Sequence, residues 1–514
     1  MPRPKSLVHH ILPLAGILIL TAIVYGKLPQ SYFCAYDDFL EVHRAAFEDT
    51  RDPRRVFTTT HFTSYKYRPL NRGINLITYW AGEGSAHYFR TRNVICHLIN
   101  VVFVYLLSWM LFRNRWLSII GALLFGIHPL ANHAVVGAVM TNSAAHSLFL
   151  FALLMFVWST KKNGLTSVVA LFVALFAGWL SLLTYEAAIV LYPLLFGYLA
   201  IQYLATRKWP VSKSYTLYLL FGSIFFWTIY YLLHARFVPY SAKRAVPSLS
   251  LMIKNLLTYA VATVLPVDPV LANAWFGTPL PSDVDIHGRA ITLLLGIIGL
   301  GGVLLIGFWL LKFKRQMIDR TWPAQLFVLM AAASAIAPLI VFTDKPSETY
   351  LYLTIAFVAI LFASFAVQLL KPETSLRGRA IVIAVVGLLS ISYALGTWVR
   401  NDKVHRCGET AYQIASGLDE QRFKSGTWFV YVMPAPGEPQ SHRYGMYGWR
   451  GIDTVGTSAL QEALQLVNRN ENVIARVLAP EEVSKVCNSS HYVCLEVHDD
   501  GRVDQLISPA AATR

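Results

Sequence analysis

Charged residues are scarce in this chain. Only 14% of its 514 residues are charged and 55% are hydrophobic, whereas soluble domains carry about 25% charged residues. The mean hydropathy is +0.47. This composition excludes an ordinary soluble domain and indicates a polytopic membrane protein.

Several common ligand-binding signatures are also missing. The chain has no P-loop, no glycine-rich nucleotide fingerprint and no Cys/His spacing typical of a metal site. The sequence therefore contains no recognisable motif for binding ATP or a nucleotide-sugar. Internal repeats with a period of about 20–50 residues are absent too, which argues against a helical-repeat array.

Cysteines are too few for a disulfide scaffold, since the chain has only five. Two of them, Cys487 and Cys494, flank a short segment near the C-terminus. We predict a disulfide between this pair, which suits an oxidising compartment.

Apolar runs long enough to cross a bilayer, about 17–25 residues, occur about eleven times. The candidate spans are residues 10–26, 93–112, 117–132, 143–160, 165–183, 187–204, 215–234, 290–311, 322–342, 350–370 and 379–398. The stretch 249–269 contains Lys254 and Asp268 and is broken by prolines, which favours an interfacial or re-entrant helix there.

The net charge of +15 does not indicate nucleic acid, because the basic residues collect in short loops between apolar runs. Alternate connections carry Arg113, Arg115, Lys161, Lys162, Arg207, Lys208, Lys213, Lys312, Lys314, Arg315, Arg320, Lys371, Arg377 and Arg379. The positive-inside rule makes these connections cytoplasmic. The first loop (residues 27–92), the loop 235–289 and everything after residue 398 are then extracytoplasmic.

We predict an all-α membrane domain over residues 1–398 and a small extracytoplasmic α/β domain over residues 399–514. In the second part, residues 426–432 have the composition of a strand, and residues 458–470 have helical spacing. Residues 494–503 resemble a hairpin with an Asp-Gly turn.

An acidic pair, Asp37-Asp38, follows the first span. Carboxylates are costly near a bilayer, and this favours a functional reason for them. Adjacent side chains point in different directions, so we predict Asp37 as a general base and Asp38 as a residue that orients a partner or binds a cation. The structural alternative is a helix N-cap. Glu186, set among apolar residues between two spans, is a third candidate catalytic acid.

Basic and polar residues from several distant segments fall on the same predicted face of the membrane. Candidates for binding a phosphate are Arg68, Arg90, Arg92, His128, Arg236, Arg244 and Lys345. Candidates for a sugar or acceptor pocket are Tyr67, His97, His133, Glu348 and Tyr350. Structural roles compete for many of them: interfacial anchoring or flanking of spans for the arginines, a helix–helix hydrogen bond for His97, and the end of a span for His128.

These residue types suit sugar transfer from a polyprenyl-phosphate carrier. A carboxylate takes the proton of the acceptor hydroxyl, and cations stabilise the leaving phosphate. A lipid donor explains both the membrane location and the missing nucleotide motif. No cofactor is expected to be obligatory, although two adjacent acids are suitable oxygen ligands for a divalent cation.

The same residues resemble the GT-C superfamily of polyprenyl-phosphate-sugar glycosyltransferases. The nearest pattern is that of the protein O-mannosyltransferases of the transmembrane-and-TPR type and their bacterial relatives. The resemblance is carried by the acidic pair and, in order, by residues 67–70, 97–100, 124–129, Glu186 and residues 348–352. It implies an inverting hexosyl or pentosyl transferase with its catalytic acids in the first loop.

The chain also departs from that pattern. His133 stands where relatives carry a Glu, Thr141 stands near an expected Arg, Tyr185 replaces a Lys and Thr349 replaces an Arg. The resemblance implies that Lys345 or Arg244 could take over the lost phosphate contacts. The TPR array is missing as well, so the donor sugar and the acceptor stay open.

Two other functions compete with the enzyme: a flippase or transporter for a lipid-linked saccharide, and a catalytically degenerate scaffold. Transporters place their polar residues near the bilayer midplane, often in repeated halves, which this sequence lacks. A bacterial inner membrane is the expected location. In an endoplasmic reticulum membrane, residues 488–490 would be a glycosylation sequon.

Overall fold

The computed structural model describes residues 4–34, 36–58, 66–238, 247–264, 269, 272, 321–342, 348–370, 375–416, 428–434, 458–469, 472–477, 492–497 and 503–506. The helices are α1 (Pro4–Val24), α2 (Tyr36–Arg44), α3 (Arg55–Thr58), α4 (Pro69–Gly82), α5 (Ala86–Phe112), α6 (Arg115–Gly126), α7 (His133–Val136), α8 (Asn142–Ser159), α9 (Gly164–Thr184), α10 (Leu191–Thr206), α11 (Lys213–Phe237), α12 (Leu249–Val264), α13 (Trp322–Phe342), α14 (Tyr352–Leu369), α15 (Leu376–Ser416) and α16 (Ser458–Asn468). Short 3-10 turns cover Leu28–Gln30, Glu186–Val190 and Glu348–Leu351, and a π-turn covers Ala45–Asp49.

Within the described residues, nine helical segments are long and apolar enough to cross a membrane. They coincide with nine of the predicted spans, so the prediction of a multi-pass membrane protein is confirmed. The count of about eleven is not confirmed, and the predicted span 290–311 lies outside the described residues. The structure also contains the short helix α6 where residues 117–132 were predicted to span.

Helix α6 ends at Gly126 after only 12 residues. At about 1.5 Å per residue it covers about 18 Å of a hydrocarbon core about 30 Å thick. Pro129 disfavours a helical conformation at His128 and cannot donate a backbone hydrogen bond, which explains why the helix stops early. Helix α6 packs against α1, α5 and α14.

Helix α12 is shorter than a spanning helix. It occupies most of the stretch for which the prolines and charges predicted an interfacial or re-entrant helix, and it packs against α13.

Helix α15 runs without a break through the predicted domain boundary at residue 398. Past that point its side chains hold the first loop and the turn after α6. Asn401 Nδ2 donates to the carbonyl of Val24 at 2.8 Å, and Arg400 Nη1 donates to the carbonyl of Pro129 at 3.0 Å. Lys27 and Asp402 form a salt bridge at 2.6 Å. The helix therefore braces the segment that carries the acidic pair.

Four strands follow: β1 (Trp428–Pro434), β2 (Val473–Val477), β3 (Tyr492–Val497) and β4 (Val503–Leu506). Their order in the sheet is β2-β1-β3-β4, with β1 parallel to both β2 and β3, and with β4 antiparallel to β3. Helix α16 connects β1 to β2 in sequence and packs against β2. These elements lie where the sequence predicted a strand, a helix and a hairpin. A separate domain over residues 399–514 stays a prediction.

A second apolar cluster joins the C-terminal elements to the first loop. Helix α16 packs against α2, and Leu464 of α16 lies in one buried cluster with Phe33, Phe39, Val42 and Phe89. Burying large apolar side chains stabilises such a contact by about 1.5–3 kcal/mol each. The helix that carries the acidic pair is thus packed between the membrane part and the C-terminal elements.

Gly408 is needed where α15 crosses the first loop. A Cβ there would lie 2.8 Å from the backbone nitrogen and oxygen of Tyr32, and a backbone cannot move aside as a flexible side chain can. We expect Gly408→Ala to destabilise the protein by about 1–3 kcal/mol through overpacking. Thermal unfolding of the detergent-purified protein measures this.

Gly387, in the same helix, provides the matched control, because a Cβ there meets nothing within 4 Å. Gly387→Ala should leave the unfolding temperature unchanged or raise it, since Ala is favoured over Gly in a helix by about 1 kcal/mol. Equal behaviour of the two variants would contradict the proposed close packing at Gly408.

Candidate functional site

Asp38 is built into the fold. Its side chain is 1% exposed, and it accepts hydrogen bonds from the backbone N–H groups of Cys34 and Val139, both at 3.3 Å. Arg90 Nη2 lies 3.6 Å from its Oδ2 atom. Asp38 therefore joins three separate segments of the chain, and the catalytic role predicted for it stays a prediction.

Arg90 is fully buried, and each of its guanidinium nitrogens meets a protein acceptor. Nε donates to the carbonyl of Ser31 at 3.1 Å, Nη2 donates to the carbonyl of Tyr32 at 2.8 Å, and Nη1 donates to the carbonyl of Val136. This geometry favours a structural role over the phosphate contact predicted for Arg90, because a phosphate would have to displace these acceptors.

Arg92 is used by the fold in the same way. Its Nη1 donates to Asn75 Oδ1 at 2.8 Å, and its Nη2 donates to the carbonyl of Ala138 at 2.7 Å. Arg92 thus fixes the segment after α7 against α4 and α5, whereas Arg90 ties the end of α7 and residues 31–32 to α5. The predicted phosphate contact is disfavoured at Arg92 as well.

Asp37 has a different environment from its neighbour. Its carboxylate is half-buried and makes no hydrogen bond or ion pair with the described part of the chain. Burial, and then the negative charge of Asp38, raise its pKa above the usual value, while Lys66, His133 and Arg68 act in the opposite direction. A carboxylate to which the described residues donate no hydrogen bond, with a raised pKa and with Lys66 and Arg68 nearby, is suited to accept a proton.

Arg68 and Glu186 form a two-pronged ion pair. Arg68 Nε lies 2.5 Å from Glu186 Oε2, and Nη2 lies 2.5 Å from Oε1. The pair ties the first loop to the connection between α9 and α10, and the Glu186 side chain remains 33% exposed. Glu186 is therefore compensated by Arg68 and placed near Asp37 through it, rather than available as an independent base.

Aromatic rings surround this ion pair. The guanidinium of Arg68 lies 4.8 Å above the ring centroid of Tyr185, and the Tyr185 ring is nearly parallel to that of Tyr350 with centroids 6.5 Å apart. Tyr350, predicted for the sugar pocket, thus lies beside the Arg68–Glu186 pair through Tyr185, and its role in a pocket stays a prediction. Cation–π contact further orients Arg68.

Lys66 is a site residue that the sequence pattern alone did not single out. It lies within electrostatic range of both Asp37 and Glu186. The sequence feature that could have identified Lys66 is its spacing from Arg68. Residues two apart in an extended segment face the same side, so Lys66 and Arg68 face the acids together. Tyr67 faces the other way, where it donates to the carbonyl of Phe57 at 3.0 Å and stacks on Phe237. Tyr67 therefore supports the segment and does not line the predicted pocket.

His97 lies between helices and not in a sugar pocket. It is fully buried and shares hydrogen bonds with Tyr352 Oη at 2.7 Å and with the carbonyl of Gly126 at 2.9 Å. Asn100 donates to the same hydroxyl at 2.9 Å. A helix–helix role for His97 therefore replaces the prediction of a pocket residue.

Of the remaining predicted residues, some lie within the described part of the structure and others lie outside it. His128 is buried in the turn after α6, where its Nδ1 accepts from the N–H of Leu130 at 3.1 Å. His133 begins α7 and faces Asp37, and Arg236 is exposed at the end of α11. The predicted residues Arg244, Lys345 and Cys487 lie outside the described residues, as does the side chain of Glu348. Cys494 lies in β3, and its predicted pairing with Cys487 stays a prediction.

Further buried acids in the first loop have basic partners. Glu41 is 2% exposed and pairs with Arg44 at 2.7 Å, and burial raises the pKa of Glu41 to about 7. Asp49 pairs with the buried Arg72 of α4. These pairs fix the shape of the loop around Asp37. No group of three or more His, Cys, Asp or Glu side chains that could hold a metal ion occurs in the described ranges.

Comparison with known proteins agrees with this architecture. No family model matches the sequence. A stretch of 140 residues is 31% identical to human protein O-mannosyl-transferase TMTC1 and covers 25% of this chain and 16% of that protein. A stretch of 95 residues is 38% identical to mouse protein O-mannosyl-transferase TMTC1 and covers 18% of this chain and 10% of that protein. The chain thus matches only a small part of the length of these relatives.

A solved structure is similar over nearly the whole chain. It is the archaeal oligosaccharyltransferase AglB from Archaeoglobus fulgidus, in complex with an inhibitory peptide and a dolichol-phosphate. The TM-score is 0.51 at 12% sequence identity, and the match covers 94% of this chain and 69% of AglB. At this identity the likeness shows the fold alone. In fold and in its partial sequence match, the chain resembles membrane glycosyltransferases of the GT-C type.

Proposed function

We propose that this protein is an integral membrane glycosyltransferase that moves a monosaccharide from a polyprenyl-phosphate carrier to an acceptor hydroxyl, with Asp37 as the base. The observation that carries the proposal is the contrast within the acidic pair. Asp38 is bound by Arg90 and two backbone N–H groups, whereas Asp37 is left unbound by the described residues, beside Lys66, Arg68 and His133.

The reaction would be a single displacement. Asp37 takes the proton of the acceptor hydroxyl, the hydroxyl oxygen forms a bond to the anomeric carbon, and the bond from that carbon to the phosphate oxygen breaks. The polyprenyl phosphate leaves with the electron pair. Attack from the side opposite to the leaving group inverts the anomeric configuration.

Lys66 is our candidate for the cation that stabilises the leaving phosphate, because it lies within electrostatic range of both Asp37 and Glu186. Arg68 is partly neutralised by Glu186, and Arg90 and Arg92 are used by the fold. Lys66 would then replace cations that relatives carry at the positions of Tyr185 and Thr349. Developing negative charge is stabilised most strongly by cations that are already in place before the reaction.

The comparisons support a lipid-carried donor. AglB is an oligosaccharyltransferase that binds a dolichol-phosphate, and the TMTC1 relatives are O-mannosyl-transferases by name. We place the protein in a bacterial inner membrane, with the site and residues 399–514 on the extracytoplasmic side. The basic loops and the course of α15 past residue 398 support this orientation.

We expect Asp37→Asn to reduce transfer by about 100-fold or more, because a positioned general base contributes about 10²–10⁴. The variant should be at least as stable as wild type. Since the folded protein raises the pKa of Asp37, the ionised carboxylate costs stability at neutral pH, and Asn removes that cost. The assay is transfer from radiolabelled polyprenyl-phosphate sugars in membranes with matched protein levels.

Asp38→Asn is the matched control. It removes the charge that compensates the buried Arg90, which costs about 3–5 kcal/mol when a buried pair is broken, so its unfolding temperature should fall. If Asp37→Asn formed product at the wild-type rate, this would contradict the proposal that Asp37 is the base.

The pH profile of transfer tests the surroundings of Asp37. A base must be ionised, so activity should fall on acidification, with a midpoint above the ordinary aspartate value of 3.8. Lys66 holds the pKa of Asp37 down, and Lys66→Gln should therefore move this midpoint to higher pH as well as slow transfer. Lys27→Gln, which removes the partner of Asp402, should leave the midpoint in place. An unshifted profile in Lys66→Gln would contradict this arrangement.

We expect no obligatory metal ion. Asp38 is already compensated by Arg90, and Glu186 is compensated by Arg68, so each of these two described carboxylates has a cationic partner in the protein itself. Transfer in detergent should survive treatment with EDTA. Loss of activity that is restored by added Mg²⁺ or Mn²⁺ would overturn this expectation.

A further inference from the structure

A cavity of about 540 Å³ lies beside α2, between the first loop and the C-terminal elements. Its walls come from α2 and the π-turn after it, from the end of α4, and from the end of α16. Val42 of α2 lines it. Val42 follows Asp37 by five residues, which is about 8 Å along a helix axis and about 140° around it, so the cavity and Asp37 lie on different faces of α2. The volume falls within the usual range of small-ligand pockets, about 300–1,000 Å³.

Aromatic rings form much of the cavity wall. The aromatic lining residues are Tyr32, Phe33, Phe47, Tyr79 and Trp80. Trp80 is 50% exposed, so its ring is accessible at the opening. Flat aromatic faces bind apolar faces of a ligand at low entropic cost, and a hexose ring presents such faces through its C–H groups.

The charged lining residues are Glu83 and Arg469, and both are exposed. They carry opposite charges. A phosphate would be repelled by Glu83 and an ammonium group by Arg469. A neutral ligand with many hydroxyls matches both, because a carboxylate accepts hydrogen bonds and a guanidinium donates them. Aromatic faces together with this pair favour a saccharide.

Both charged residues occupy unfavourable backbone positions. Glu83, with φ of 49°, ends α4, and Arg469, with φ of 50°, ends α16. Left-handed residues at helix ends are usually Gly or Asn, because a Cβ is disfavoured there. Arg113 ends α5 in the same conformation away from the cavity, so the conformation alone does not mark a site. It does permit substitutions that remove the side chain without straining the backbone.

We infer that this cavity binds a neutral hexose unit of the acceptor, which makes the acceptor a saccharide. That the bound saccharide is the acceptor rests on the proposed transfer reaction. Binding of a saccharide to the cavity does not depend on that reaction. Glu83 and Arg469 hydrogen-bond the hydroxyls, and the aromatic rings hold the ring faces. The C-terminal segment thus contributes a side chain, Arg469, to recognition of the acceptor.

Binding to the full-length, detergent-purified protein tests the inference directly. The probes are methyl α-mannopyranoside, methyl α-glucopyranoside, methyl β-galactopyranoside and the disaccharides built from them, measured by saturation-transfer NMR and titration calorimetry. We expect at least one probe to bind wild type, and Glu83→Gly and Arg469→Gly to weaken that binding by about tenfold or more. Both variants should keep the wild-type unfolding temperature or exceed it, because glycine suits φ > 0.

Arg113→Gly is the matched control: it relieves the same backbone conformation and should bind like wild type. Asp37→Asn should also bind like wild type while losing transfer, so failure of the proposed reaction and failure of this site remain distinguishable. Binding that survives in both glycine variants would overturn the inference. So would the absence of binding for every saccharide probe, or displacement of a bound probe by an apolar peptide and not by other saccharides.

Discussion

The ion pair between Asp38 and Arg90 is the interaction on which the site depends. Both side chains are removed from water, where an isolated charge would be very unfavourable, so each must be compensated. Their further partners are backbone groups of residues 31–34 and of residues 136–139. The network therefore fixes the start of α2 against α5. Since α2 cannot rotate without breaking it, Asp37 is held toward Lys66, Arg68 and His133.

Two cations, Arg68 and Lys66, lie near the acids of the site and differ in their surroundings. Arg68 is paired with Glu186 and stacked on Tyr185, so its geometry is fixed but much of its charge is used. Lys66 lies within electrostatic range of the same acids. A lysine is a flexible point charge, which suits a group that must follow a phosphate as it leaves. An arginine suits the fixed pair, because its planar fork matches a carboxylate.

The membrane helices could be predicted from the sequence because long, uncharged apolar runs are rare outside membrane spans. The structural roles of the buried arginines could not be predicted in this way. Arg90 donates to carbonyls 46–59 residues away, and a carbonyl leaves no mark on a sequence. His97 similarly depends on Tyr352, which is distant in the chain. The continuation of α15 past residue 398 could not be predicted from apolar periodicity, because that part of the helix is polar. Its close contact with Tyr32 occurs at Gly408. The position of Lys66 could have been predicted from the sequence, because residues 66 and 68 of an extended segment lie on the same face.

The departures from the relatives' pattern have a physical consequence at the site. The resemblance to the GT-C pattern leads us to expect cations at the positions of Tyr185 and Thr349, whereas here Tyr185 supports Arg68 and Thr349 is buried. Loss of two positive charges would by itself raise the pKa of Asp37 and leave a departing phosphate less stabilised. Lys66 offsets both effects from the first loop. The first loop would then supply both the proposed base and a cation near it, and α2 also supplies part of the cavity wall through Val42. The proposed base and the cavity wall thus belong to the same helix, α2, on different faces of it, and α16 packs against that helix.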